Sequence, residues 1–304
     1  MADKVKKQRG DRWDGVRVRK DDPMHMFMPY LMGERADNEA FMYETFDLTA
    51  VKEYMEAKNA QNPEHKYTVF HIIMAALGKT IYMRPKLNRF ILNRKYYDRT
   101  NISFALTAKR RFADGADESL VKVIVRDDDT PLAQQVHETL CGEVYKIKEE
   151  KGGAGEQDGA TDIMSVLTKI PGPILKLVTK IIFWLEHRGW LPKDFNEVNP
   201  YNATIFISNL GSIKMNAMYH HLINFSEGSI FVVVNRAKMN PFFHDDGTYE
   251  MKYSVPISFT LDERIADGFY FARSLMLFKF LLEHPQLLDE PLSSPVDYDE
   301  QRDS

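Results

Sequence analysis

The stretch from Tyr253 to Pro285 constrains this chain more than any other. Val255, Ile257, Phe259 and Leu261 alternate with Ser254, Pro256, Ser258 and Thr260, the period-two pattern of a strand with one buried face. Pro256 lacks a ladder donor and marks an irregular or edge stretch. From Phe269 the period lengthens: Phe271, Leu275, Phe278 and Leu282 recur at helical spacing until His284 and Pro285 end the pattern. Between strand and helix lie only Asp262, Glu263, Arg264, Ile265, Ala266, Asp267 and Gly268. A connection this short holds its polar groups on two rigid flanks. It reads as a structural turn closed by an N-capping acid, or as a site that presents its carboxylates to a ligand.

Upstream, residues 41–47 alternate as a strand, 48–58 form a helix begun near Asp47 or Thr49, and 69–83 form a buried helix ended by Pro85. Residues 101–107 and 121–126 read as strands, and helical periodicity returns over 132–149. Residues 15–19 add a candidate edge strand, and the methionine and aromatic residues of 24–32 read as adaptable packing. After the breaker Gly152-Gly153-Ala154-Gly155, two short apolar helices, 161–170 and 174–188, are split by Pro171-Gly172-Pro173 and resemble an inserted hairpin. Lys176 and Lys180 interrupt the second, whose apolar run falls short of the roughly 20 residues that span a bilayer. Three uses of the hairpin stay open: packing on the core or a neighbouring subunit, a lid over a channel, and membrane-surface contact over 161–190 through Trp184, Trp190 and the lysines.

Composition narrows the classes. With 304 residues, 44% hydrophobic and 12% aromatic, the chain can bury a core without staples. A net charge of -4 argues against a nucleic-acid platform, which needs a basic face. The single cysteine, Cys141, allows no internal disulfide and is read as a buried small apolar residue rather than a nucleophile. The basic start of the chain is followed by no apolar signal-type run, so a cytoplasmic location is expected. A phosphate-binding glycine loop, a His-Glu-x-x-His pair and a Cys-x-x-Cys pair are all missing, so no metal and no tightly bound cofactor are expected.

Asp262 to Gly268 resembles the His-x-x-x-Asp-Gly signature of the chloramphenicol acetyltransferase and dihydrolipoyl acyltransferase superfamily, shared with peptide-synthetase condensation domains. The lipoyl enzymes typically read Asp-His-Arg-Val-x-Asp/Asn-Gly; here the sequence is Asp-Glu-Arg-Ile-Ala-Asp-Gly, with Glu263 at the histidine position. Residues 203–211 are similar to the family strand ending in Ser-Asn-Leu-Gly, 221–235 to the following loop and apolar strand, and 84–90 to the turn after the first long helix. The resemblance implies an α+β two-layer sandwich of the chloramphenicol acetyltransferase type, a mixed, largely antiparallel sheet with helices packed on it, plus the inserted helical hairpin. The expected divisions are a basic N-terminal arm over 1–22, an acyltransferase-like domain over 23–288 with its insertion at about 152–195, and an acidic disordered tail over 289–304.

The same resemblance implies a function. An acyl group passes from a thioester, coenzyme A or a carrier, to a thiol or hydroxyl acceptor in a tunnel at the boundary between subunits of a homotrimer. No lipoyl-type module precedes the core, so the donor is expected as free coenzyme A thioester or on a separate carrier. Ser208 matches the oxyanion-stabilising hydroxyl, Glu263 the base, and Asp267 the acid that orients the motif through an ion pair, for which Arg17 or Arg19 is the candidate partner. Reference pKa values of about 4.3 for glutamate and 6.5 for histidine make a carboxylate the poorer proton acceptor by about 3 kcal/mol. His220 and His221 are therefore alternative bases, set against a reading as ordinary packing histidines. A non-catalytic trimeric binding or scaffold relative is the competing expectation.

Overall fold

The computed structural model describes residues 8–109, 118–149, 168–192, 199, 201–216, 218–225 and 227–298. In chain order its elements are β1 (Gly15–Arg17), α1 (Pro23–Leu31), β2 (Glu39–Asp47), α2 (Thr49–Asn59), α3 (Val69–Met83), β3 (Arg89–Leu92), β4 (Lys95–Arg99), β5 (Ile102–Lys109), β6 (Glu118–Val125), α4 (Leu132–Glu149), α5 (Gly172–Arg188), β7 (Ile205–Asn209), β8 (Ile230–Val234), β9 (Lys238–Phe243), β10 (Tyr249–Asp262) and α6 (Gly268–Glu283). The alternating segment becomes β10, the spine of a seven-stranded sheet in the order β2-β10-β8-β7-β5-β6, with β9 paired to the start of β10. Only the β5–β7 and β7–β8 pairs are parallel, so the sheet is mixed and largely antiparallel. This is the expected α+β architecture.

The period-two pattern decides which face is covered. Val255, Ile257, Phe259 and Leu261 of β10 and Ile230, Val232 and Val234 of β8 point to the helices and are at most 5% exposed. Phe46, Phe259 and Phe278 meet there edge to face, with Phe46 and Phe278 centroids 5.0 Å apart. Helix α3 is buried along nearly its whole length because it lies between the sheet, α4 and α6. Burying one Leu or Phe side chain of this set contributes about 1.5–3 kcal/mol.

Both ends of the described chain, from Asp11 and up to Tyr298, join the body. Strand β1 pairs with β4 in a separate sheet, β1-β4-β3, and Arg12 and Asp14 just before it form a buried ion cluster with Glu227 and Arg99. At the other end, the segment expected to be disordered from residue 289 is strapped down as far as 298. The buried Lys79 ammonium donates to the carbonyls of Pro291, Leu292 and Ser294 at 3.3, 2.7 and 2.5 Å, and Leu292 is 3% exposed. An ammonium with three main-chain acceptors offsets the acidity that favoured a solvated tail. The methionine-rich run is α1, capped by Asp22 and holding Pro29 inside it. Hairpin β3–β4 turns through Asn93 and Arg94, both at positive φ, a turn whose sequence lacks the usual glycine. The first helix of the expected insertion, 161–170, falls largely outside the described residues, whereas its second is α5.

The start of α3 carries a titratable device. Thr68 and His71 form a reciprocal capping box: the Thr68 amide donates to His71 Nδ1 at 3.0 Å, so the ring's proton sits on Nε2, facing Cys141 Sγ at 3.8 Å. Cys141 is buried, and a ring that already donates is no base for it. Burial, reinforced by neighbouring His137, pushes the His71 imidazole down to about 4. The unfolded chain, with a histidine value of about 6.5, binds a proton that the fold refuses until the pH nears 4. Stability is complete above about pH 6.5 and falls as pH drops from there toward 4, with a slope approaching about 1.4 kcal/mol per pH unit. Urea denaturation of wild type and His71→Gln at pH 7 and pH 5 checks this: the variant is less stable at pH 7 but loses less on acidification, and equal losses contradict it.

Candidate functional site

The turn between β10 and α6 is built around an internal ion pair. Asp262 accepts from Arg264 Nε and Nη2, both at 2.7 Å, and Arg264, 2% exposed, also donates to the carbonyls of Met32 and Gly33 at 2.8 and 2.9 Å. Arg35 lies 3.6 Å from the same carboxylate, and burial pulls its guanidinium below the ordinary arginine range while Asp262 opposes that pull. Ile265 and Ala266 are buried beneath the turn. Two groups point outward: Glu263, whose amide donates to the Asn38 carbonyl at 3.0 Å, and Asp267.

Asp267 is the N-cap of α6. Its carboxylate accepts from the Tyr270 amide at 2.8 Å, and that bond holds it below the usual carboxylate range. The expected ion pair with Arg17 or Arg19 is not formed: Arg19 binds Asp11 at 2.8 Å. Helix capping satisfies this acid locally. Gly268 is not at positive φ, and a methyl group added there meets nothing within 4 Å. The protomer itself has no need of a glycine at that position.

One residue near the turn escaped the sequence reading. His25 of α1 is half-buried, and its charge contributes to lowering the Asp267 carboxyl. The Tyr96 hydroxyl lies 2.8 Å from the His25 carbonyl and 2.9 Å from that of Arg264, which joins α1 to the turn. The signal was present as a lone histidine inside the methionine-rich run, where packing was the expected use.

Ser208 sits near the end of β7, in register with Val233 of β8, half-buried on the sheet face away from the helices. The residues after it fix its position. Asn209 Oδ1 accepts from the Ser212 amide at 3.3 Å, and the Ser212 hydroxyl donates to the Asn209 carbonyl at 2.7 Å. Gly211 passes so close to the Asn235 carbonyl that a methyl group would stand 2.9 Å from it. The loop then returns over the same face: the His220 ring stacks flat on Phe231 at 4.1 Å and its Nδ1 lies 2.9 Å from the His221 carbonyl, while His221 is exposed. Among the described residues, neither histidine is hydrogen-bonded to Ser208.

The register gives the separation of the two candidate groups. Ser208 is opposite Val233, which is opposite Ser258, so Ser208 and Ser258 are two strands apart, about 9.6 Å. Glu263 lies beyond the far end of β10, about 17 Å further along the strand, so Ser208 and Glu263 are roughly 19 Å apart in one protomer. They occupy opposite ends of the sheet. An open groove of about 540 Å³ lies toward the Ser208 end of the outer face, lined by Tyr43, Thr45, Asn216, Pro256 and the β9 residues Asn240 and Phe242. Among the described residues no group of histidine, cysteine and acid side chains is placed to hold a metal.

Two glycine substitutions separate local from external constraint. Gly211→Ala forces the β7 turn off the Asn235 carbonyl and costs about 1–3 kcal/mol by urea denaturation. Gly268→Ala leaves stability within about 1 kcal/mol of wild type. Equal losses in the two variants contradict this geometry.

Residues 193–289 match the family model of 2-oxoacid dehydrogenases acyltransferase (catalytic domain). No curated protein matches the sequence. A probable dihydrolipoamide acetyltransferase from Listeria monocytogenes is similar over 86% of this chain and 89% of its own, at 16% identity and TM-score 0.56. The cubic core of the pyruvate dehydrogenase multienzyme complex is similar over 87% of this chain and 88% of its own, at 17% identity and TM-score 0.55. Chloramphenicol acetyltransferase is similar over 88% of this chain and 99% of its own, at 10% identity and TM-score 0.52. At these identities the solved structures establish shared fold. The segment 193–289, which holds both Ser208 and the Glu263 turn, thus resembles the acyltransferase catalytic domain of the 2-oxoacid dehydrogenases, and the chain carries the fold shared by dihydrolipoamide acetyltransferases and chloramphenicol acetyltransferase.

Proposed function

We propose that the protein is an acyltransferase that moves an acyl group from a thioester, coenzyme A or a carrier, to a thiol or hydroxyl acceptor, in a site completed between protomers of a trimer. The consideration that carries this reading is the separation of roughly 19 Å between Ser208 and Glu263 within one chain, which a neighbouring copy would close. Apolar surface left open around the turn supports it: Phe269, Met24 and Leu31 are 71%, 65% and 63% exposed, a cluster suited to burial against a second subunit. The unexplained Gly268 fits a close approach from outside the protomer.

In this site a base on the turn of one protomer takes the proton from the acceptor thiol or hydroxyl, whose atom attacks the thioester carbonyl. The Ser208 hydroxyl of the neighbour donates to the oxyanion. The tetrahedral intermediate collapses to the new ester or thioester, and the expelled thiolate takes the proton back from the base. We assign the base to Glu263, with His25 as the imidazole standing at the same turn. The second reading, a trimeric binding or scaffold protein without turnover, is favoured by the carboxylate at the position where the family carries histidine.

Acyl-coenzyme A donors and small thiol or hydroxyl acceptors test the proposal directly, with mass measured in parallel. Ser208→Ala lowers kcat by about 10²–10³ and Glu263→Gln by about 10²–10⁴, with the trimer retained. A loss in His25→Ala without one in Glu263→Gln moves the base to His25. Unchanged activity in both Ser208→Ala and Glu263→Gln overturns the site, and a stable trimer without turnover establishes the scaffold reading.

A further inference from the structure

Helix α5 leaves an apolar stripe uncovered that the acyl-transfer site does not use. Ile174, Leu177, Ile181 and Trp184 follow one another at helical spacing and are 54%, 60%, 49% and 47% exposed. Glu186 on the opposite face is buried at 2% exposed, and Phe183, though 37% exposed, lies against Phe225 at 5.0 Å. The helix end extends the stripe: Gly189 adopts the left-handed conformation, the Trp190 amide donates to the Leu185 carbonyl at 3.0 Å, and the chain turns back. Trp190, 63% exposed, therefore packs edge to face on Trp184 at 5.5 Å, and the Arg188 guanidinium lies over the Trp184 ring at 3.9 Å.

Charge identifies what this surface fits. The whole chain has 44 acidic against 40 basic residues. In the described segment 168–192, however, Lys169, Lys176, Lys180 and Arg188 face solvent, whereas its acid, Glu186, is buried. Lys176 and Lys180 border one edge of the stripe, and Arg188 stands at its end beside both indoles. Exposed aliphatics, an amphipathic indole pair and a cationic border form the combination with which an interfacial helix lies in the headgroup region of an anionic bilayer. No helix among the described residues is long and apolar enough to cross a membrane, so contact on this face is peripheral.

We propose that α5 docks the protein reversibly on anionic lipid surfaces, with Trp184 and Trp190 entering the interface and the lysines facing the phosphates. This is independent of turnover, because the stripe contains none of the residues assigned to acyl transfer.

Co-sedimentation of the full-length protein with vesicles of phosphatidylcholine, with and without 30% phosphatidylglycerol, tests it. Binding is expected to the anionic vesicles only, to weaken with added salt, and to shift tryptophan emission to the blue. Lys176→Gln/Lys180→Gln weakens partitioning on the order of 25-fold, about fivefold for each cation. Trp184→Ala/Trp190→Ala abolishes the emission shift, and circular dichroism confirms that both variants are folded. No binding to anionic vesicles at low salt, binding unchanged in both variants, or an altered oligomeric state in the variants with no lipid response each overturn the proposal; the last shows that another copy of the chain covers the stripe.

Discussion

The Asp262–Arg264 pair is the interaction on which the rest of the candidate site depends. Neither group is reachable by solvent, and Asp262 is the carboxylate that matches the buried Arg264 charge. Arg264 spends its remaining donors on the carbonyls that end α1, and Arg35 adds a second positive charge to the same carboxylate. The last strand, the turn and the N-terminal helix are therefore locked as one unit. Removing Asp262 leaves the buried Arg264 charge unmatched, a cost of about 3–5 kcal/mol. That lock holds Glu263 and Asp267 outward and brings His25 to the same place.

The second half of the site is held by different means. Ser208 depends on the close approach of Gly211 to the Asn235 backbone and on the Asn209 side chain that closes the following turn. Neither set of contacts reaches the other, and β8 between them is paired with β10 on one side and β7 on the other. A protomer with two well-positioned but separated halves is understandable if assembly completes the site. The fold shared with dihydrolipoamide acetyltransferases and chloramphenicol acetyltransferase does not by itself identify the acyl group.

Much of this was legible in the residues. The switch from period two to helical period at Asp262 located β10, the turn and α6 to within a few residues, and α3 and α4 emerged with the expected bounds. Short-range signals failed where tertiary contacts outweighed them. The N-terminal arm looked solvated by charge, yet Arg12 and Asp14 find Glu227 and Arg99 far along the chain. The acidic tail looked free, yet a lysine in the middle of a buried helix clamps it. The family resemblance implies an arginine partner for Asp267, and the backbone of its own helix answers it instead. Hairpin β3–β4 carried no glycine at its turn and so no punctuation to read. Which histidine approaches the motif depends on how α1 folds back, which no local pattern encodes.

Subunit mixing tests the central claim most directly. Ser208→Ala and Glu263→Gln proteins are each purified, dissociated, combined in equal amounts and reassembled, and acyl transfer is compared with that of either variant alone. A site shared between neighbouring protomers predicts recovery of roughly a quarter of wild-type activity, because that fraction of boundaries pairs an intact serine with an intact glutamate. Mixed trimers demonstrated by mass but no more active than their parents contradict the shared site.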